Sequence, residues 1–432
     1  MLFDTSPPVN QLSGGRDLQP NHTGALSRRT FLGTVGALPA LAQQGPRRIA
    51  VITTVYRYLS HGQHMADRFL VGYPMNGEWH KPDMKVVSLY VDQKPEGDLS
   101  QKRASEFGFH VYPTIAETLR CGTDKIAVDA VLIIAEHGDY PTNNIGQKLY
   151  PRYEFFQDCV RVFEQDQRSV PVYNDKHLSY SFEKASRMVG YSKRLKFPML
   201  AGSSLPITWR LPDVDLPFDA EVEEAVMVGE NGGDDAMDFH ALEAMQCMLE
   251  RRKGGETGVR AVQCIRGEAV WTAGWSKDLL VAALSRSDTP LGLTMKDGRT
   301  QDLVTSGELQ RLITKPEAYR IEYRDGLRAW MLNLRGALKD FNFAAHVKGH
   351  GILSTQFLLT PEPNVTYSAC LMSKAEEMFA TGRAPYPVER TLLTSGITEA
   401  CHRSGGEDGK RLETPQLAVR YLAPKISQYC RT

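Results

Sequence analysis

From Arg47 onward the chain alternates short apolar runs with stretches of helical spacing. Ile49-Ala50-Val51-Ile52-Thr53-Thr54 is apolar, β-branched and bounded by polar residues, the pattern of a strand buried on both faces. A helical stretch over residues 64–70 follows, then a strand over residues 85–91 that ends on Asp92. Asp98-Leu99-Ser100 is a start signal for a helix over residues 101–107. Residues 111–114 read as a short strand before a helix over residues 115–119, residues 130–135 as the most apolar strand, and residues 155–165 and 170–173 as the next helix and strand. Residues 73–82 interrupt the alternation as an insertion. This spacing predicts βαβ units and a parallel, doubly wound sheet, an α/β fold whose ligands sit beyond the carboxyl ends of the strands. Those ends carry polar clusters: Thr53 and Thr54, Asp92, Glu136-His137-Gly138-Asp139, and Asn174-Asp175-Lys176-His177. A carboxylate at the position of Asp92 suits the two hydroxyls of an adenosine ribose, and equally a turn or helix cap.

With 432 residues the chain is long enough for two domains. Its 51 Lys and Arg balance 51 Asp and Glu, so no long-range positive field gathers a phosphodiester backbone. Nucleic acid is thereby excluded as the main partner, and a small molecule is favoured. A hydrophobic content of 42% excludes a chain disordered as a whole. Seven scattered cysteines (Cys121, Cys159, Cys247, Cys264, Cys370, Cys401 and Cys430), never in CxxC spacing, read as packing residues rather than a disulfide scaffold or a zinc site.

Residues 1–26 lack apolar periodicity. Ser27-Arg28-Arg29-Thr30-Phe31-Leu32 then precedes an apolar run over residues 33–42 that ends in Ala40-Leu41-Ala42, small residues at both positions a signal peptidase reads. The order reads as a twin-arginine export signal over residues 1–42. It predicts a periplasmic or secreted protein with no membrane-spanning segment after signal removal.

Four stretches, taken in order, resemble the glucose-fructose oxidoreductase and inositol dehydrogenase family (Gfo/Idh/MocA). Residues 98–119 look like its second βαβ crossover. Val172-Tyr173-Asn174-Asp175-Lys176-His177, with residues 178–202, looks like its Glu-Lys-Pro strand, helix and next strand. Gly232-Gly233-Asp234-Asp235-Ala236-Met237-Asp238-Phe239-His240-Ala241-Leu242-Glu243 looks like its Gly-rich turn and Asp/His helix, and residues 381–415 look like its closing segment. The resemblance implies a Rossmann-like parallel sheet over residues 43–204 and an α/β domain with an open, mostly antiparallel sheet over residues 205–432, whose exposed face would suit a homo-oligomer. It also implies an oxidoreductase that uses NAD or NADP on a sugar or polyol. Lys176 would polarise the substrate oxygen, His240 would be the base and Asp238 would orient it. The cofactor would lie against Thr54, Arg57, Ser60, Gly62, Asp92, Glu136 and His137.

The sequence departs from the family at the phosphate loop. A dinucleotide site needs glycines so that the backbone can approach the pyrophosphate at a helix N-terminus. Thr54-Val55-Tyr56-Arg57-Tyr58-Leu59-Ser60-His61-Gly62-Gln63-His64 keeps only Gly62, with Arg57 to neutralise a phosphate and Ser60 to donate to one. In the motif strand, Asp175 replaces the Glu and His177 the Pro. Two other readings therefore stand beside the oxidoreductase. One is an exported carbohydrate-binding pseudo-enzyme without nucleotide. The other is a metal-dependent hydrolase or lyase that gathers His61, His64, His137, Asp139, His177 and His240 in one cleft.

Overall fold

The computed structural model describes residues 45–229, 235–288, 303–304, 306–336 and 338–431. The expected export signal lies outside them, as do Gly232, Gly233 and Asp234 of the Gly-rich turn. The described chain from Gly45 onward is one compact unit.

Its first half runs β1 (Arg47–Thr53), α1 (His61–Val71), β2 (Tyr73–Met75), β3 (Glu78–His80), β4 (Met84–Val91), α2 (Ser100–Phe107), β5 (His110–Val111), α3 (Ile115–Arg120), β6 (Ala130–Ile134), α4 (Arg152–Asp166), β7 (Val172–Asp175), α5 (Phe182–Leu195) and β8 (Met199–Gly202). The insertion expected over residues 73–82 is the β2–β3 hairpin. The other strands of this half form one sheet in the order β5-β4-β1-β6-β7-β8, every neighbouring pair parallel. This is the Rossmann order, and it reverses between β1 and β6, where such folds open a ligand crevice.

The strand sequences follow from burial on both faces. Val131 and Ile133 of β6 join Leu119, Phe156, Val160 and Met188 from α3, α4 and α5. Ala130, Leu132 and Ile134 join Met65 and Phe69 of α1 on the other face. A helix from late in the chain, α9 (Tyr367–Thr381), completes that second layer with Leu371, Met378 and Phe379. Truncating Leu132 to Ala in such a site costs roughly 2–5 kcal/mol.

Beyond β8 come β9 (Arg210–Leu211), β10 (Val222–Gly229), α6 (Asp235–Leu249), β11 (Val259–Arg266), α7 (Lys277–Leu284), α8 (Glu308–Leu312), β12 (Glu317–Tyr323), β13 (Arg328–Asn333), β14 (Phe341–Val347) and β15 (Gly351–Phe357). After α9, α10 (Glu389–Gly406) and β16 (Leu412–Glu413) close the chain. The second sheet has the order β16-β11-β12-β13-β10-β14-β15-β9, antiparallel except where β10 meets β13. The α/β class with one parallel and one mostly antiparallel sheet is thus present.

One face of the second sheet buries Met227, Met331 and Phe343 under Leu242 and Met245 of α6 and Leu393 and Ile397 of α10. The opposite face, expected to be exposed, is covered. Val270 of a 3-10 turn, Trp275, and Leu279, Leu280 and Ala283 of α7 pack on Val226, Val228, Trp330 and Leu332. This face is therefore not an open surface for a homo-oligomer. No helix of the described residues is long and apolar enough to cross a membrane.

Candidate functional site

The end of β6 runs into Ala135, Glu136 and His137, and the end of β7 into Lys176 and His177. Glu136 is buried between two cations: its carboxylate pairs with the Arg152 guanidinium, and Lys176 Nζ lies 3.8 Å away. Burial alone would raise its pKa. Lys176, Arg152 and the nearby histidines overcome that and hold the carboxyl at about 2. Lys176 has φ of 60° and pairs its backbone with Gly202, so the chain turns over the sheet edge instead of extending β7.

Helix α6, packed on the second sheet, faces this turn. His240 lies in α6, and its Nδ1 shares a hydrogen bond with Ser203 Oγ, directly after Gly202. One turn along α6, Glu243 accepts from the Ser203 amide and from Thr391 Oγ1 at 2.6 Å. A Cβ on Gly202 would stand 2.8 Å from both Glu243 carboxylate oxygens, so this glycine permits the close approach. Burial pushes Glu243 up to about 7. It pushes His240 well below its ordinary value, and the charge on Lys176 adds to that fall, so the imidazole is neutral. Lys176, through its backbone, and His240, through its ring, predicted from different halves of the sequence, are thus held at the consecutive residues Gly202 and Ser203.

Of the expected histidines, His61, His64 and His137 gather, with their rings packed edge to face, while His177 and His240 pack on Phe239 and Phe341. His61 lies 4.9 Å from His64 and 5.0 Å from His137, centroid to centroid and edge to face. His61 Nδ1 donates to Asp175 at 2.6 Å, reaching from α1 to the end of β7. Its amide donates to His137 Nδ1 at 3.4 Å. Burial and His61 push His64 down to about 2 and His137 to about 4, so both are uncharged at neutral pH. His177 Nε2 lies 3.2 Å from Arg152 Nη1 and 3.3 Å from Asp235 Oδ2. A single ring nitrogen serves one of these at a time, accepting from the first or donating to the second. Among the described residues no three His, Cys, Asp or Glu side chains form a group able to hold a metal ion.

The residues expected along a dinucleotide fall into two sets. Asp92 is exposed beyond β4, its carboxylate accepting from Tyr90 at 2.9 Å and Tyr140 at 2.6 Å, with lone pairs left for ribose hydroxyls. Arg57 is exposed on the loop before α1. Of the other five, Glu136 is buried against Arg152 and Lys176, His137 accepts from the His61 amide, and Thr54, Ser60 and Gly62 turn inward. Thr54 is buried and donates to Glu136 O at 2.7 Å. Ser60 is the N-cap of α1, accepting from the Gln63 and Arg57 amides, which replaces its expected role as an open phosphate donor. Gly62 faces protein: a Cβ there would meet Val55 O at 2.4 Å and Thr53 Oγ1 at 2.5 Å. It does the work of the glycine that packs helix on strand, not of one that admits a pyrophosphate. The donor set therefore suits a nicotinamide dinucleotide at the ribose, through Asp92, and at the reacting end, through Lys176 and His240. Between them, the His61 and Gln63 amides already have protein acceptors.

Asp238 stands apart from His240, two residues away on α6. Its carboxylate accepts from Tyr319 at 2.6 Å, Asn333 at 3.3 Å and His402 Nε2 at 3.1 Å. The group placed to orient His240 is Ser203, which the sequence reading missed along with Arg152, Gly202 and Glu243. Arg152 alone left a signal: a cation opening a helix opposes the helix dipole and implies a carboxylate partner.

No family model and no curated protein matches this chain. Solved structures do match. GenD2 from gentamicin A biosynthesis, in complex with NAD, is 13% identical over 90% of this chain and 99% of that one, with a TM-score of 0.51. Myo-inositol dehydrogenase from Lactobacillus casei, in complex with NAD(H) and myo-inositol, is 12% identical over 85% and 96%, with a TM-score of 0.51. A probable dehydrogenase from Thermotoga maritima is 12% identical over 86% and 99%, again with a TM-score of 0.51. At this identity the likeness is one of architecture: the chain has the two-sheet α/β fold of inositol and related dehydrogenases.

Proposed function

We propose that the chain is an oxidoreductase that moves a hydride between NAD or NADP and a carbinol carbon of a sugar or polyol. The observation that carries this reading is the anchoring of Lys176 and His240 to the consecutive residues Gly202 and Ser203, beyond the carboxyl end of the parallel sheet. A bound nicotinamide supplies the hydride acceptor or donor. The chain supplies charge and proton handling. Loss of hydride leaves positive charge on the carbon that is relieved as the hydroxyl proton departs, so a base must stand within hydrogen-bond reach. Lys176 stabilises the oxygen as that proton leaves. Neutral His240 takes the proton, and Ser203 sets its direction. With Ser203 accepting from Nδ1–H, Nε2 is free to be the base, and the imidazolium so formed returns its proton from Nε2 in the reverse direction.

One observation favours a second reading, a nucleotide-free carbohydrate-binding protein of the same fold: the first amides of α1 are engaged by Ser60 and His137. Calorimetry of the native full chain separates the two. Saturable heat with NAD or NADP, lost in Asp92→Ala, supports the oxidoreductase; no heat at millimolar nucleotide, and none bound to the purified protein, contradicts it.

The compartment is part of the proposal: the Ser27–Leu32 sequence directs export through the twin-arginine route. Cell fractionation tests this, with cleaved protein expected outside the cytoplasm and retention expected when Arg28 and Arg29 are both replaced by Lys. Uncleaved wild-type protein in the cytoplasm contradicts it.

A further inference from the structure

The C-terminal tail lies along α9, held at neighbouring points. Lys374 Nζ, one turn beyond Cys370, donates to Gln428 Oε1 at 3.2 Å. Two residues later the Cys430 amide donates to Ile207 O at 2.7 Å, and the Cys430 side chain packs on the core cluster that contains Cys370. The two thiols are neighbours in this packing, and Cys370, as a donor to Cys430, lowers the Cys430 thiol while its own is raised. Their accessibility differs. Cys370 is fully buried, whereas Cys430 lines a cavity of about 370 Å³ with Trp209, Arg210, Asp213 and Arg431. On the same tail, Tyr429 stacks 3.8 Å under the Arg210 guanidinium and Arg431 pairs with Asp213 at 3.0 Å. Anything that fixes Cys430 therefore fixes a wall of this cavity.

We propose that Cys370 and Cys430 are an oxidisable dithiol whose disulfide staples the C-terminal tail to α9. The oxidant is a small disulfide of the glutathione class. The Cys430 thiolate attacks one of its sulfurs, the oxidant's S–S bond breaks, and one thiol leaves with the Cys430 proton. Cys370 then attacks the mixed disulfide at the Cys430 sulfur, and the second thiol leaves with the Cys370 proton. Two protein thiols are oxidised to one disulfide, and one disulfide is reduced to two thiols. The thiol that meets solvent is the more acidic, and its buried neighbour resolves the adduct, the order that exchange requires. Cys264 and Cys401 also lie near each other, but both are sealed in the second core and stay reduced.

The test treats the native full chain with glutathione disulfide, then counts thiols under denaturing conditions and maps linked peptides by mass spectrometry. The expected result is loss of two of the seven thiols, with Cys370 joined to Cys430. Cys370→Ser should stop at a glutathione adduct on Cys430, and Cys430→Ser should take up neither adduct nor cross-link at Cys370. Seven thiols surviving in folded protein, a bond joining any other pair, or a Cys370→Ser protein that gains no adduct would each overturn the proposal.

Discussion

Lys176 and His240 are tied to consecutive residues of one turn: Lys176 pairs its backbone with Gly202, and His240 Nδ1 shares a hydrogen bond with Ser203 Oγ. A shift in this turn moves both groups at once. The two sheets are therefore coupled at the point where the proposed chemistry needs them in register.

Gly202→Ala tests that coupling. Gly202 has φ of 132°, which an L side chain rarely adopts, and the new Cβ would press on Glu243. The expected cost is roughly 2–4 kcal/mol by chemical denaturation, with turnover lowered more than tenfold in protein that is still folded. Wild-type stability and turnover would show that the turn does not hold the site.

Glu243 makes a pH prediction of definite sign. Its folded pKa of about 7 exceeds the ordinary 4.5, so the native state holds the proton more tightly and this contribution to stability fades as pH rises from 4.5 through 7. The depressed His137 acts oppositely, adding stability as pH rises from about 4 to 6.5. Glu243→Gln removes the first effect and leaves the second. Between pH 4.5 and 7 its stability should gain about 3 kcal/mol on that of the wild type, from a shift near 2.5 pH units at 1.36 kcal/mol each. Parallel profiles from urea melts would refute the assignment.

Removing the carboxylate in Glu136→Gln leaves Arg152 and Lys176 as buried cations without their counter-charge. A loss of roughly 3–5 kcal/mol is expected in denaturant melts, and less than 1 kcal/mol would mean that water already screens the trio.

Asp238 and His240 should separate kinetically. His240→Asn is expected to lower turnover at least a hundredfold in folded protein, because it removes the proton-transfer group. Asp238→Asn disturbs Tyr319, Asn333 and His402 and should cost stability, with turnover changed less than tenfold. Equal kinetic losses would restore Asp238 as the orienting group.

The architecture was legible in the sequence because burial on both faces leaves an unmistakable pattern, as in Ala130–Ile134. That Lys176 and His240 are held at one turn followed from motif order, and their catalytic roles belong to the proposal. Ser203 and Gly202 were not, since a close approach between a strand end and a helix from another sheet leaves no local periodicity. Ser60 and Gly62 were seen, but their duties were misread: a cap and a packing contact use the same residue types as a phosphate loop, and only the atoms that they face tell them apart. The covered face of the second sheet was missed because the family resemblance implied an open sheet and α7 was not foreseen.

Deuterium transfer reads hydride movement itself. Native protein is incubated with NAD or NADP and a panel of sugars and polyols deuterated at the carbinol carbons, and the nucleotide is analysed by mass spectrometry. The expected product is reduced nucleotide carrying one substrate deuterium, with formation lost in Lys176→Met and His240→Asn proteins that retain wild-type circular dichroism. Failure of any substrate to deliver deuterium, from protein shown by calorimetry to bind the nucleotide, would contradict hydride transfer as its function.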